Sequence, residues 1–278
     1  MMKQHIIFRT LLIGIVLISG LFQSCEEVID VDLNEADPKL SIDAVIDLDQ
    51  LAQVQLSYTS SYFSDTEPEY ETNATVLLSD SEGNTETLAH QGKGKYTGST
   101  IKGKIGNTYE LKVTVGNQTF TGESRFMTPT QVLKLEYKKF DGFGGNEDEQ
   151  EYTLIITLKN NPKEENYYLV KYYIDDAEKE ESYSIWTHEQ YANEEAVVFE
   201  PFFSFTEDQK ITIEAFSIDE GTYDYYNQLS DIIDQRGGGG STPFNPKSNM
   251  GKDVLGYFRA WSFDTKSIQV GVEEEKIK

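Results

Sequence analysis

The chain has 278 residues, 48 of them acidic and 24 basic, for a net charge of −24, and it holds a single cysteine. A surface this acidic repels nucleic-acid phosphates and anionic lipid head groups, and one cysteine excludes a disulfide framework and a cysteine-ligated zinc site. With 17 Tyr, 15 Phe and 2 Trp, the chain has the apolar material to hold its fold by its core alone.

Residues 1–10 carry Lys3 and Arg9 and no acid, and residues 11–22 are apolar except for Gly14, Ser19 and Gly20. That run has the length of an export-signal core and is too short to span a bilayer. Gln23-Ser24-Cys25 closes it, with a small residue directly before the cysteine. The pattern resembles a bacterial lipoprotein signal, with Phe22 standing where leucine is usual. It predicts a signal peptide over 1–24, cleavage before Cys25 and acylation of that cysteine. Lysine and arginine then leave with the signal and the mature net charge falls near −26. About three acyl chains on Cys25 give stable membrane anchoring, and no thiol remains to act as a nucleophile. Residues 25–37 are acidic from Glu26 and Glu27 onward and read as a tether. Acids directly after the lipidated cysteine resemble the surface-export signal of Bacteroidota lipoproteins, which implies the outer face of the outer membrane; a solvated tether facing the periplasm is the alternative.

From Leu40 the chain alternates with a period of two. Val54, Leu56 and Tyr58 form one such set, Val76 and Leu78 a second, and Tyr109, Leu111, Val113 and Val115 a third. Such strands bury one face and wet the other. Glycine- and asparagine-bearing turns separate them, and Gly116-Asn117 is a hairpin signal. About seven strands in under a hundred residues predict a β-sandwich of immunoglobulin or transthyretin type over 38–128. Pro129 marks a boundary. Beyond it, Tyr152, Leu154, Ile156 and Leu158 alternate, and residues 167–174 and 210–216 are further strands. Tyr223, Tyr226, Leu229, Ile232 and Ile233 recur at three- and four-residue steps, predicting a helix near 222–235 that the glycines at 237–240 end. Residues 255–263 and 267–272 read as two closing strands. The fold class is therefore mainly all-β, with two β-sandwich domains, 38–128 and 129–278, the second carrying one inserted helix.

These pieces together resemble a family of Bacteroidota outer-membrane lipoproteins classed as a domain of unknown function, often encoded beside SusC-like TonB-dependent receptors. The resemblance runs through Pro38-Lys39-Leu40, Val54-Gln55-Leu56-Ser57-Tyr58-Thr59, Asn73-Ala74-Thr75-Val76, Gly94-Lys95-Tyr96 and the stretch from Gly106 to Val113. It ends in Tyr223-Asp224-Tyr225-Tyr226, in the segment from Pro243 through Phe244, Asn245, Pro246, Lys247, Ser248 and Asn249 to Met250, and in Gly256-Tyr257-Phe258. The approach to that last piece, residues 251–255, is more polar than the family's glycine-rich one. The resemblance implies a SusC-like TonB-dependent barrel as partner.

Structural work accounts for most of these motifs. Gly94 and Gly106 suit turns with positive φ, and Tyr96 and Tyr109 suit buried rings with satisfied hydroxyls. Asn245 and Asn249 suit side-chain bonds that hold an irregular segment. The acidic loops 80–84 and 141–149 invite a divalent cation, yet neither has the spacing of a calcium hand loop, and they read as solvated. Enzymatic patterns are weak: His5 leaves with the signal, His90 and His188 stand apart, and no nucleophile elbow or phosphate loop occurs. The expectation is a non-catalytic protein without cofactor, metal or nucleic acid, and with an unidentified ligand. Adjacent aromatics on a strand face opposite ways, so some are available for contact. The candidate contact residues are Trp186, Phe202, Phe203 and Phe205, with Phe244, Asn245 and Asn249 of the proline-flanked loop. Two functions are expected in that order: an accessory or ligand-capturing subunit of a TonB-dependent transporter, and a free-standing glycan- or protein-binding adhesin.

Overall fold

The computed structural model describes residues 37–61, 67–140, 150–187, 193–201, 203–235 and 244–271. The expected signal peptide, the lipidation site Cys25, most of the tether and the glycines at 237–240 lie outside these residues, as do Phe202, His188 and the acidic loop 141–149.

The first eight strands are β1 (Leu40–Asp47), β2 (Leu51–Tyr58), β3 (Thr75–Asp80), β4 (Thr85–Thr87), β5 (Ala89–Gly92), β6 (Lys95–Lys102), β7 (Thr108–Val115) and β8 (Gln118–Arg125). The period-two residues point inward as expected: Val54, Leu56, Val76, Leu78, Tyr109, Leu111 and Val113 are all buried. Gly116 sits at φ 55° between Val115 and Gln118, which pair across the β7–β8 hairpin. β4-β3-β7-β8 form one sheet, and β1, β2, β6 and β5 are consecutive in a second. Their inner faces share one apolar core, which makes this part a β-sandwich.

The later strands are β9 (Val132–Lys139), β10 (Glu151–Lys159), β11 (Tyr167–Ile174), β12 (Ala177–Thr187), β13 (Ala196–Phe199), β14 (Phe205–Thr206), β15 (Lys210–Ile218) and β16 (Phe258–Gln269), with one helix, α1 (Glu220–Gln235), between the last two. β10 pairs with β9, β13 and β14, while β12-β11-β15-β16 continue into β1 to complete a sheet of eight. A second core lies between β10 with its neighbours and β11 with β15. The opposite face of β11 and β15 carries Leu169, Phe216 and Ile218, against which Tyr223 and Tyr226 of α1 pack. β11 is therefore covered on both sides, so its run Tyr168-Leu169-Val170 is buried without alternation.

Two expectations need amending. The closing segment is one twelve-residue strand, β16, rather than two. Its first residues run parallel to β1, with Ala44 opposite Phe258 and Asp47 opposite Trp261; from Ser262 it runs antiparallel to β15. Residues 250–260 also belong with the first core: Met250, Val254, Phe258 and Ala260 pack among the residues of β1–β8. A continuous division at residue 128 misses this because β1 and β16 are far apart in sequence, Asp47 and Trp261 by 214 residues. Local periodicity carries no signal of such a pairing.

Candidate functional site

Three places gather the side chains with functional potential. The first is the irregular segment 244–257, which leads into β16. Asn249 holds it: Nδ2 donates to the carbonyls of Glu123 (2.9 Å) and Phe258 (2.7 Å), and Oδ1 accepts from the Phe258 N–H (2.9 Å). That is the backbone-binding role expected from its residue type. Gly122 of β8 lies beneath; a Cβ there would stand 2.5 Å from the Met250 sulfur. Phe244 is 42% exposed and Asn245 is exposed, so both remain open to a partner. Asn245, Lys247, Ser248 and residues 251–255 line a cavity of about 670 Å³ with Lys39.

The second place is the aromatic group of the later region, and here the expectation of exposed contacts is corrected. Phe205 is buried in the second core, and Phe203 packs edge-on against both Tyr172 (4.4 Å between centroids) and Phe205 (5.1 Å). Trp186 stacks on Phe199 at 3.5 Å. Burying these rings does the work that disulfides do in smaller domains. A further aromatic layer lies between the large sheet and α1: Tyr167 meets Tyr223, Tyr183 meets Tyr226, Tyr225 meets Tyr257, and Phe216 meets Trp261. Arg259 lies 4.8 Å over the Trp261 ring and bonds Asp43 at 2.6 Å, and the indole N–H donates to Asp47 at 2.6 Å. Burial pushes the Asp47 carboxyl above its ordinary value, against the opposing pull of Trp261 and Arg259.

The third is a cavity of about 830 Å³ beside residues 128–131 and 159–163. Its buried polar groups bond to one another and to the backbone. Tyr168 donates its hydroxyl proton to Asn160 Oδ1 (2.7 Å), Asn166 Nδ2 donates to the Asn161 (2.7 Å) and Glu164 (3.0 Å) carbonyls, and Asn160 Nδ2 donates to the Glu194 carbonyl (2.7 Å). A network closed on itself is a structural device.

Two carboxylates missed by the sequence reading turn out to be structural centres. Asp219 caps α1, its Oδ1 accepting the Thr222 N–H at 2.8 Å, while Oδ2 accepts the Ser124 hydroxyl (2.6 Å) and the Arg125 N–H (2.9 Å) of β8. An aspartate three residues ahead of Thr222 at a helix start is a legible capping signal. Glu86 on β4 accepts five hydrogen bonds from Ser99, Thr100 and Ile101 of β6. The acidic loop at 80–84 is turn chemistry: Asp80 accepts the Glu82 and Asn84 N–H groups at 3.0 and 2.9 Å. Burial would raise the Asp80 carboxyl, but these bonds outweigh it and hold the group below its usual range. Among the described residues no group of three or more His, Cys, Asp or Glu side chains is placed to hold a metal ion. His90 is exposed on the edge strand β5, tilted against Tyr96.

Among the described residues, fold and site together define a mainly β protein of several packed sheets, braced by the helix α1, with its open loops in irregular segments. The chain belongs to the family described as Domain of unknown function (DUF4249), whose model matches residues 26–267. No curated protein matches it. Among solved structures, it is similar to the crystal structure of chicken CNTN1 FN1-FN3 domains at 12% identity and a TM-score of 0.25, over 66% of this chain and 62% of that chain.

Proposed function

We propose that the protein is a non-catalytic lipoprotein of the Bacteroidota outer membrane, held through Cys25 at the cell exterior and serving as an accessory or ligand-capturing subunit of a SusC-like TonB-dependent barrel. The observation that carries this reading is the position of Cys25, after an apolar run of signal-core length and before an acidic stretch. The family match beginning at residue 26, one residue past the cysteine, supports it. So does the contrast between a rigid double core and the exposed, irregular loop around Phe244 and Asn245, because contacts concentrate on loops carried by rigid scaffolds. The mechanism is docking: lipid holds the base and the loops meet the barrel or its cargo. The adhesin reading loses its main support where Trp186, Phe203 and Phe205 serve the second core.

Cys25→Ser is expected to abolish incorporation of radiolabelled palmitate and to release the protein from the membrane fraction. Protease added to intact cells is expected to degrade the wild-type chain. Palmitate incorporation that survives Cys25→Ser would overturn the anchor, and full protection in intact cells but not in lysed ones would overturn the external location.

A further inference from the structure

The geometry points to a phosphate-binding cavity between the chain entry at Lys39 and the segment 245–255. The chain has twice as many acids as bases, yet Lys39, Lys247 and Lys252 all line this one cavity of about 670 Å³, with Asp253 as the one acid in its lining among the described residues. All three lysines are exposed. Six other cations of the described residues pair with carboxylates: Lys93 with Glu67, Lys104 with Glu82, Lys134 with Glu136, Lys138 with Glu200, Lys210 with Asp176 and Arg259 with Asp43. Among the described residues, none of the three cavity lysines has such a partner. In a chain this acidic, three ammonium groups set around one carboxylate among the described residues mark a local field opposite in sign to the chain's net charge.

The backbone of the same segment adds donors. Gly251 and Asp253 take positive φ, 115° and 60°, on either side of Lys252. Alternation of backbone hand of this kind gathers N–H groups into a concavity that receives anions. Among the described residues, the N–H groups of Lys252 and Asp253 donate to no protein acceptor, while that of Gly251 closes the turn at 249–250. The Asn249 bonds to Glu123 and Phe258 fix the segment from beneath, so the donors are held in place before any ligand arrives. Three point charges and two free amides suit a multiply charged tetrahedral oxyanion, a phosphate or phosphate monoester, better than a single carboxylate. The phosphate has two possible sources, a lipid head group or a soluble phosphate compound. Lys39 follows Cys25 by only fourteen residues in sequence, which brings the lipid source into consideration. This inference does not depend on a barrel partner.

The test uses the full chain in neutral detergent micelles and follows phosphorus resonances during titration. One arm adds pyrophosphate; the other adds short-chain phosphatidic acid, with phosphatidylcholine of equal chain length as reference. Saturable binding is expected in at least one arm, weakened about tenfold or more in a Lys247→Ala/Lys252→Ala double variant. A Lys95→Ala/Lys112→Ala variant makes the same change in net charge at exposed lysines elsewhere and is expected to bind as the wild type does. Binding of pyrophosphate alone assigns the cavity to soluble phosphates, and preference for phosphatidic acid assigns it to a head group. Binding in neither arm, or equal losses in the two double variants, would overturn the site.

Discussion

Replacing Glu86 with alanine should destabilise the protein by about 2–3 kcal/mol and lower its melting temperature by roughly 5–10 °C, read by circular dichroism. The reason lies in the pairing of β2 with β6. Gln53 stands opposite Thr97 and Leu51 opposite Lys102, so residues 98–101 bulge away from β2. Their amides lose the sheet ladder, and the Glu86 carboxylate replaces it. Oε2 accepts the N–H and hydroxyl of Ser99 at 2.9 and 3.0 Å and both donors of Thr100 at 2.9 Å, and Oε1 accepts the Ile101 N–H at 3.0 Å. Because β4 and β6 belong to different sheets, this one side chain fastens the two layers of the first sandwich. Alanine would remove five charge-assisted bonds at once, leaving the part-buried Ile101 N–H without its acceptor and the exposed donors of Ser99 and Thr100 to water. The interaction also has a pH signature. Burial alone would raise the Glu86 pKa, but the bonds from Ser99, Ile101 and Thr100 outweigh it and hold it below the ordinary value of 4.5. A carboxyl depressed in the folded state stabilises fully above its unfolded pKa, and that contribution disappears as pH falls through the folded value. Wild type should therefore lose stability relative to Glu86→Ala below about pH 4.5, the two melting curves converging in acid. A gap that stays constant down to pH 3 would show that Glu86 does not act as a charged acceptor.

Gly256→Ala should cost more, above about 3 kcal/mol, and should reduce the yield of folded protein. Gly256 sits at φ 82°, and a Cβ there would lie 2.2 Å from the Ile42 carbonyl oxygen and 2.7 Å from its carbon. Those are backbone atoms of β1 and have no room to yield. The neighbouring bonds explain the close approach: the Ile42 N–H donates to Leu255 O at 2.9 Å and the Ala44 N–H to Tyr257 O at 3.1 Å. This irregular stretch lays the chain along β1 before β16 takes up the regular parallel register. Forcing it away would unseat Met250, Val254 and Phe258 from the first core, so the loss should appear as one cooperative transition at lower temperature. Wild-type melting of Gly256→Ala would contradict this account of the C-terminal motif.

The parts of the fold legible in the sequence are those set by short-range periodicity. β7 and its hairpin to β8, β10, β11 and α1 all follow from side-chain spacing and turn residues. Tyr96 and Tyr109 have buried rings with bonded hydroxyls, to the Glu71 and Lys102 carbonyls respectively, and Gly94 and Gly106 take positive φ. The parallel seam of β1 and β16 was not legible, since nothing local distinguishes Phe258 as a partner of Ala44 rather than of a nearer strand. Among the later aromatics, Trp186, Phe203 and Phe205 stood out as candidate contacts because composition alone does not separate a core ring from an exposed one. Trp186 and Phe203 sit at the margin of the second core, and only the packing of β13 and β14 shows it. Glu86 is one acid among 48, and its role emerges only with the bulge it serves. The lysine cavity unites Lys39 with Lys247 and Lys252 from opposite ends of the chain, a juxtaposition that no spacing rule contains.

The most direct test of the proposed function is affinity isolation of the tagged full-length protein from native outer membranes in mild detergent, with mass spectrometry of what accompanies it. A TonB-dependent barrel should be recovered in stoichiometric amount and lost with Cys25→Ser. Reproducible recovery of the lipoprotein without any such barrel would contradict it.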